Sequence, residues 1–324
     1  MKNILVKPDS WVRFFFPLIH KARYWAWKFY DRVGIRLVIC GGKVRFMDVV
    51  LNFPENVGML YSTPLFWNGP KAYEEPTSRT IISLAGQSRL FLDIGSNIGV
   101  YAVYVGVKFP QVKVIAFEPV PDIWTKNCKF HRANNLPEKN IKKIALSDRD
   151  GPQQLYLPVY DTGIEEEQTA TLRPNSWQAH EKKVEMIEVQ CLTFDSFRTA
   201  NPLPDGLCCM KIDVENNEAA VLRGAKKFII ERRPWIVCEI LPREEFNVAT
   251  KTKHNNNRET LELVQELGYT PYAITGEGFF RMNAAGFAQP RNLKDFLLIP
   301  REKIPEDIFF FASETLNHLL NKGG

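Results

Sequence analysis

The chain has 324 residues, of which 45% are hydrophobic and 24% are charged, and its formal net charge is +5. This composition fits a globular protein with a substantial core and excludes a chain that is disordered throughout. The charge is too mild to indicate a nucleic-acid partner.

The N-terminal part of the chain is basic and rich in aromatic residues. Residues 1–45 hold ten lysines and arginines against two aspartates, and residues 11–39 mix these charges with Trp, Phe and Tyr. Such a segment is too charged to span a bilayer, but it could lie at a membrane surface. Packing on the core is the simpler interpretation. We predict a mainly helical extension over 1–80 and keep peripheral membrane contact through 11–39 as the alternative.

From about residue 88, short apolar runs alternate with helical patterns. We predict strands over 89–95, 112–119, 141–148, 207–215, 234–241, 270–275 and 295–300, and helices over 97–109, 121–135, 217–233 and 257–269. Repeated strand–helix alternation is typical of an α/β, doubly wound and mostly parallel sheet, whose ligands bind at the carboxyl ends of the strands. This domain is expected to cover 81–300, followed by a helical tail over 301–324.

The stretch 153–198 does not follow this alternation. Two segments with strand character flank a polar run that contains Glu165, Glu166 and Glu167. We predict a hairpin-like insertion with a solvated acidic loop.

Cysteines and histidines give little support for a metal or disulfide framework. The six cysteines form no C-x-x-C pair, and the five histidines form no H-x-x-x-H pattern. The cysteines are therefore interpreted as buried thiols in a reducing, cytoplasmic location. No histidine-based metal site is predicted.

A sharp turn follows the first strand of this domain, in the sequence FLDIGSNIGVYAV at residues 91–103. Gly95 permits a close backbone approach, and Gly99 lets the next helix pack near the strand. The turn lacks the third glycine of a G-x-G-x-x-G motif, which disfavours a pyrophosphate ligand. Asp93 favours a ligand that carries an amino group, such as S-adenosylmethionine. Glu118, at the end of the next strand, is suited to ribose hydroxyls.

Four stretches resemble the FkbM family of S-adenosylmethionine-dependent methyltransferases, across roughly residues 72–300. FLDIGSNIGVYA resembles the family's DvGANiGyys motif, and VIAFEPVPDIWTKNCKFHRANN resembles its vIAFEP block. IALSDRDG resembles AlsDr.G. The longest match, MKIDVENNEAAVLRGAKKFIIERRPWIVCEI, resembles lKiDvEGaE and the rPii..E that follows it.

The resemblance implies a Rossmann-like class I methyltransferase fold, with a seven-stranded sheet whose last pair is antiparallel. It implies O-methylation of a hydroxyl, most often on a sugar, a glycan or another small metabolite. The residues expected to bind the cofactor are Asp93, Gly95, Ser96, Asn97, Gly99, Glu118, Pro119 and Glu74. Glu75 is open as a substitute for Glu74, and an exposed acid at the start of a helix is the alternative for both.

The stretch MKIDVE supplies the candidate catalytic residues. Lys211, Asp213 and Glu215 alternate and so share one side of an extended strand. Asp213 is the first candidate for a base or an acceptor-orienting group, and Lys211 could hold it ionised. Glu215, Glu218 and Glu239 are further candidates. A purely structural network of these charges is the alternative, and although gathered acids can bind Mg²⁺, nothing here singles out a ligand set.

One departure from the family pattern concerns the turn after this strand, where Asn216 replaces a glycine. Asn tolerates a positive φ, so the turn can survive. A protein that keeps the fold without catalysis, and a nucleotide-dependent oxidoreductase or epimerase, remain the competing hypotheses. No N-P-P-Y motif and no basic–aromatic platform occur inside the domain, so no nucleic-acid partner is expected. The oligomeric state does not follow from the sequence.

Overall fold

The structure is a computed structural model that describes residues 2–6, 35–69, 73–158, 170–172, 184–240, 244–247, 252–276, 278–281 and 294–304. The strands are, in chain order, β1 Lys2–Val6, β2 Ile35–Ile39, β3 Gly42–Phe46, β4 Val49–Phe53, β5 Leu90–Ile94, β6 Lys113–Phe117, β7 Ile141–Lys142, β8 Ala145–Leu146, β9 Gly151–Pro158, β10 Val184–Leu192, β11 Cys208–Ile212, β12 Trp235–Glu239, β13 Glu244–Asn247, β14 Thr252–Asn255, β15 Tyr269–Thr275, β16 Gly278–Arg281 and β17 Asp295–Pro300. The α-helices are α1 Met59–Asn68, α2 Glu75–Gly86, α3 Val100–Lys108, α4 Pro121–Ala133, α5 Phe194–Ala200, α6 Glu218–Gly224, α7 Lys226–Arg232 and α8 Asn256–Glu266. None of these helices combines the length and the apolar character that a bilayer crossing requires.

A central sheet organises the described residues, with the strand order β16-β15-β17-β12-β11-β5-β6-β7. The strands from β12 to β7 run parallel, whereas β17 is antiparallel to both β12 and β15. This confirms the doubly wound, mostly parallel sheet and its antiparallel pair. The sheet has eight strands rather than the expected seven, because β16 folds back on β15 as a hairpin.

Helices cover both faces of this sheet. One apolar cluster joins β3, β4 and helices α1 to α4 to one face, and a second joins α5, α6, α7 and α8 to the other. All five residues of β5 are buried, as expected for a parallel strand that is covered on both sides.

The order of the strands reverses between β5 and β11. The chain passes from β5 to β6 and β7 on one side, and then returns to place β11 against the other edge of β5. In open α/β sheets, this switch point leaves a crevice at the carboxyl ends of the strands, where ligands bind. The turn after β5 and the turn after β11 both lie at this crevice.

The mainly helical extension expected for 1–80 is wrong for its described part, which contains four strands beside α1 and the start of α2. In β3 and β4, buried and exposed residues alternate, with Val44, Phe46, Leu51 and Phe53 facing inward. This period of two produces an antiparallel hairpin rather than a helix. The boundary at residue 80 also falls inside α2.

The insertion is an antiparallel hairpin of β9 and β10, as predicted, followed by α5. The strand expected over 141–148 is instead two short strands: β7 extends the central sheet, whereas β8 pairs with β10. The helix expected over 217–233 is divided into α6 and α7. Most of the basic, aromatic segment 11–39, for which membrane contact is the alternative prediction, lies outside the described residues. The acidic run at 165–167 and the tail 305–324 lie outside them as well.

Candidate functional site

A cleft opens at the switch point, with an empty volume of about 1000 Å³ including its open mouth. Eight of the twelve site residues predicted from the sequence line it: Gly95, Ser96, Asn97, Glu118, Pro119, Lys211, Asp213 and Glu215. The other four, Asp93, Gly99, Glu74 and Glu239, lie behind its wall or at its edge.

The turn after β5 is fixed by main-chain hydrogen bonds. The N–H groups of Gly95 and Ser96 both donate to the carbonyl oxygen of Phe117, at 3.1 and 3.0 Å. Gly95 has a φ of +71°, and a Cβ added there would lie 1.8 Å from the carbonyl oxygen of Asp213. Only glycine therefore allows β5 and β11 to end this close together.

Glu118 joins this turn to the end of β6. One of its carboxylate oxygens accepts from the N–H of Asn97 at 3.0 Å, and the other accepts from the N–H of Val120 at 2.9 Å. The side chain is only 5% exposed, and burial raises the pKa of Glu118 to about 7. Two backbone donors therefore hold the carboxyl group rigidly at the cleft wall.

Asn127 on α4 holds the other side of the turn, and the sequence analysis did not single it out. Its Nδ2 donates to Ser96 Oγ at 3.0 Å and to the carbonyl oxygen of Asn97 at 2.7 Å. A Cβ on Gly99 would lie 2.4 Å from Asn127 Oδ1. Gly99 thus supports the site through helix packing rather than from the cleft wall.

Asp93 is fully buried beneath the turn. Its Oδ2 accepts from the N–H of Ala102 at 3.1 Å, and its Oδ1 lies 3.7 Å from Lys211 Nζ. Lys211 also donates to the carbonyl oxygen of Gly95 at 3.1 Å. Burial raises the pKa of Asp93, and the charge of Lys211 opposes that rise. In this geometry Asp93 orients the start of α3 and Lys211 from below.

Asp213 is the ionised acid of the cleft. Its carboxylate lies 3.1 Å from Lys211 Nζ. Burial alone would raise the pKa of Asp213, but the charge of Lys211 and a hydrogen bond with Glu239 outweigh burial and lower it. Burial and the charge of Asp213 together raise the pKa of Glu239 well above its usual value. The two neighbouring acids therefore take up protons over different pH ranges.

Lys294 connects three elements at the edge of the cleft. Its ammonium group contacts Glu74, which precedes α2, and lies 2.8 Å from Glu239 at the end of β12. Next to it, Asp295 accepts a hydrogen bond from Thr77 Oγ1 at 2.8 Å. This places Glu74 and Glu239 in an ion-pair network outside the cleft wall. Lys294 was missed because its partners are distant in the sequence.

Two groups of three acids have oxygen atoms within 4.8 Å of one another: Asp213, Glu215 and Glu239, and Glu74, Glu239 and Asp295. Each group already contains a carboxylate paired with a lysine, namely Asp213 with Lys211 and Glu239 with Lys294. Among the described residues, neither group is therefore a set of carboxylates that is free of lysine partners and available as ligands of Mg²⁺.

The remaining wall of the cleft is aromatic and apolar. Tyr61, Tyr73 and Tyr101 line one end, and burial raises the pKa of Tyr73 and of Tyr101 well above the usual value, so these two phenols stay protonated. Apolar side chains line the other end: Ile144, Leu146, Leu155 and Leu172. The sequence analysis did not assign these residues to the site, because they come from segments distant from the motifs.

The turn after β11 survives the replacement of the family's glycine. Asn216 has a φ of +74°, in the left-handed region where Asn is tolerated, as predicted. Its N–H donates to Glu218 Oε1 at 3.0 Å. The next residue, Asn217, lines the cleft and is buried, and its Nδ2 has no hydrogen-bond partner among the described residues.

Comparison with known proteins identifies the family of this chain. The family model of the methyltransferase FkbM domain matches residues 93–271. Methyltransferase 1 of Beauveria bassiana is 25% identical over 142 residues, which is 41% of this chain and 57% of that protein. Methyltransferase sdnD of Sordaria araneosa is 25% identical over 154 residues, which is 41% of this chain and 59% of that protein. The chain thus spans less than two thirds of either relative.

Among solved structures, a methyltransferase FkbM from Methylobacillus flagellatus KT is similar at 10% identity and a TM-score of 0.36, over 84% of this chain and 70% of that one. The family model alone covers more than half of the chain. This protein therefore belongs to the FkbM family of S-adenosylmethionine-dependent methyltransferases.

Proposed function

We propose that this protein methylates a hydroxyl oxygen on a sugar, a glycan or another small metabolite. The observation that carries the proposal is the position of Asp213. Its carboxylate lines the same cleft as the turn at Gly95 and stays ionised beside Lys211. A hydroxyl acceptor needs such a group to orient it and to receive its proton.

The residues of the cleft fit S-adenosylmethionine. The carboxyl group of Glu118 is held by two backbone donors at the position suited to ribose hydroxyls. Ile144, Leu155 and Leu172 offer apolar contacts to a flat ring. The buried Nδ2 of Asn217 has no hydrogen-bond partner among the described residues and can donate to a ligand. When bound, the cofactor supplies a methyl group that is activated by a positively charged sulfur.

In this reaction the protein aligns the acceptor hydroxyl and removes its proton. Holding an acceptor oxygen in line with the reacting carbon replaces an encounter in solution by a positioned step. Asp213 accepts the hydrogen bond of the acceptor hydroxyl and takes up its proton. Lys211 keeps Asp213 ionised and fixes its orientation. Glu215, two residues later, also lines the cleft.

The proposal is tested by separating cofactor binding from methyl transfer. We expect wild-type protein to bind S-adenosylhomocysteine with micromolar affinity in calorimetry. Asp213→Asn keeps the size of the side chain and should preserve this affinity within about twofold, while lowering the rate of methyl transfer by about 100-fold. Transfer is followed with radiolabelled S-adenosylmethionine over a panel of mono- and oligosaccharides.

Two results would contradict the proposal in different ways. A folded wild-type protein that does not bind S-adenosylhomocysteine would exclude the cofactor assignment. Methyl transfer by Asp213→Asn at the wild-type rate would keep the cofactor but exclude Asp213 as the proton-accepting residue. Methyl transfer to amines and not to any hydroxyl would exclude O-methylation.

A further inference from the structure

A short segment of the insertion, Ala170–Leu172, packs against the hairpin next to the cleft. The N–H of Tyr156 on β9 donates to the carbonyl oxygen of Thr171 at 2.8 Å, and the N–H of Thr171 donates back to Tyr156 at 3.1 Å. Thr171 is completely buried. This pair of main-chain hydrogen bonds fixes the segment on the edge of β9 without using the side chain of Thr171.

The side chain of Thr171 instead reaches the turn after β11. Its Oγ1 donates to the carbonyl oxygen of Glu215 at 2.7 Å. Glu215 and Asn216 are consecutive non-glycine residues with φ values of +51° and +74°. Each such residue costs about 1–2 kcal/mol, so the turn persists only where its surroundings hold it. The hydroxyl of Thr171 is one of the groups that hold it.

The neighbours of Thr171 on either side face the cleft. Ala170 and Leu172 line it together with Leu155 of β9. One three-residue segment therefore contacts the apolar end of the cleft and, through its central residue, the turn that follows Asp213. A ligand that fills the apolar end would pack against Ala170 and Leu172. It would thereby limit the movement of Thr171 and stabilise its hydrogen bond to the carbonyl oxygen of Glu215.

We propose that Thr171 is a positioning residue, which holds the Glu215–Asn216 turn and couples its order to occupancy of the cleft. The coupling rests on the proposed function, because its ligand is the cofactor or its product. The coupling is reciprocal: a bound cofactor orders the turn, and a turn that is held in place favours binding of the cofactor.

The test compares Thr171→Val, which keeps the shape of the side chain and removes the hydroxyl, with Thr171→Ser, which keeps the hydroxyl. Amide hydrogen exchange is measured in full-length protein, with and without saturating S-adenosylhomocysteine. Without ligand, we expect Thr171→Val to speed exchange at residues 214–218 by about fivefold, the effect of one lost hydrogen bond. Thr171→Ser should exchange as wild type does.

With ligand, all three proteins should show equal protection at residues 95–102, which belong to the cofactor turn. Protection at 214–218 should appear in wild type and in Thr171→Ser and be largely lost in Thr171→Val. Because the ligand also lies near the end of β11, full protection of 214–218 in Thr171→Val would mean direct contact and would overturn the coupling.

Amide exchange measured without ligand tests the positioning role of Thr171 separately from the coupling. Exchange at 214–218 that is the same in Thr171→Val and in wild type would overturn it. Absence of protection at 95–102 in every variant would instead count against the cofactor assignment, and the coupling would fall with it. Equal thermal unfolding of the two variants would confirm that any difference is local.

Discussion

The two sides of the cleft are held by different kinds of interaction. Around Gly95 and Glu118, main-chain N–H groups donate the hydrogen bonds that join the turn after β5 to the end of β6, and Lys211 and Asn127 add side-chain donors to this turn. At the opposite edge, Lys294 contacts Glu74 and Glu239 through side-chain charges, across 220 and 55 residues of sequence. The first side is fixed by backbone geometry, whereas the second depends on charge and therefore on pH and salt.

The largest effect is expected from a change to the backbone-fixed side. Gly95→Ala adds a Cβ at 1.8 Å from the carbonyl oxygen of Asp213, in a residue with a φ of +71°. We expect the free energy of unfolding to fall by about 3–5 kcal/mol, because the clash adds to the backbone strain. Urea unfolding measures this loss, and calorimetry should detect no binding of S-adenosylhomocysteine.

Gly151→Ala is the matched control. Gly151 also has a positive φ, +109°, but a Cβ there would have no atom within 4 Å. It isolates the backbone strain, about 1–3 kcal/mol, and should leave binding of S-adenosylhomocysteine intact. Equal losses of stability in the two variants would show that the approach of β5 to β11 contributes nothing beyond strain.

The second prediction concerns Glu118. Glu118→Ala leaves the N–H groups of Asn97 and Val120 without their acceptor at a buried position. We expect the affinity for S-adenosylhomocysteine to fall by about 100-fold, because the ribose hydroxyls lose their acceptor and a hydrogen bond to a carboxylate contributes about 1.5–3 kcal/mol. Calorimetry measures the affinity.

Asp122 is an exposed acid at the start of α4, and Asp122→Ala removes a nearby carboxyl group that makes no contact with the cofactor turn; it should change the affinity by less than about twofold. If the two variants lost the same affinity, the effect would be one of general charge and not of the acceptor that Glu118 supplies.

The contrast between the two sides also explains what could be predicted from the sequence. Apolar runs ended by Gly95 and by Pro119 predict β5 and β6, their turns and the position of Glu118, because each signal lies within a few residues. The parallel order and the antiparallel pair follow from the alternation of elements. The residues that shape the rest of the site gave no such signal.

Lys294 and Asn127 meet their partners only after the sheet has formed, so no local pattern marks them. Thr171 is similar, since its partner, the carbonyl oxygen of Glu215, belongs to a turn 44 residues away. The hairpin β3–β4 was missed for another reason. Its period of two is short and lies next to a long aromatic segment, which dominated the interpretation of residues 1–80.

The third prediction uses pH to measure how the charge of one buried acid, Glu218, changes the free energy of unfolding. Glu218 is buried at the start of α6, and burial, followed by the charges of Asp213 and Glu215, raises the pKa of Glu218 to about 8. In the unfolded chain, the pKa of a glutamate is about 4.3. Between these values the folded protein binds the proton and the unfolded chain does not, so stability is lost as pH rises through this window.

Glu218→Gln mimics the protonated acid and can still accept the hydrogen bond from the N–H of Asn216. We expect wild type to lose about 1–3 kcal/mol of unfolding free energy between about pH 5.5 and 8.5, and Glu218→Gln to lose at least about 1 kcal/mol less. Urea unfolding at both pH values measures the difference. Parallel pH profiles would mean that Glu218 is ionised in the folded protein.

The smallest effect is expected at Lys294, on the charged side. Its side chain is 40% exposed, so its ion pairs with Glu74 and Glu239 are partly screened by water. Lys294→Met should lower the free energy of unfolding by about 1 kcal/mol or less at low salt, and by less still in about 1 M NaCl. Arg79→Met removes the exposed pair with Glu75 and should cost no more than about 0.5 kcal/mol.

Binding of S-adenosylhomocysteine sharpens the comparison further. If the hydrogen bonds around Gly95 and Glu118 hold the cofactor side without help from Lys294, Lys294→Met should bind S-adenosylhomocysteine within about twofold of wild type at both salt concentrations. A loss as large as that of Glu118→Ala would mean that Lys294 supports the cofactor turn through Glu74. The two sides of the cleft would then form one unit, and salt should weaken cofactor binding as well as stability.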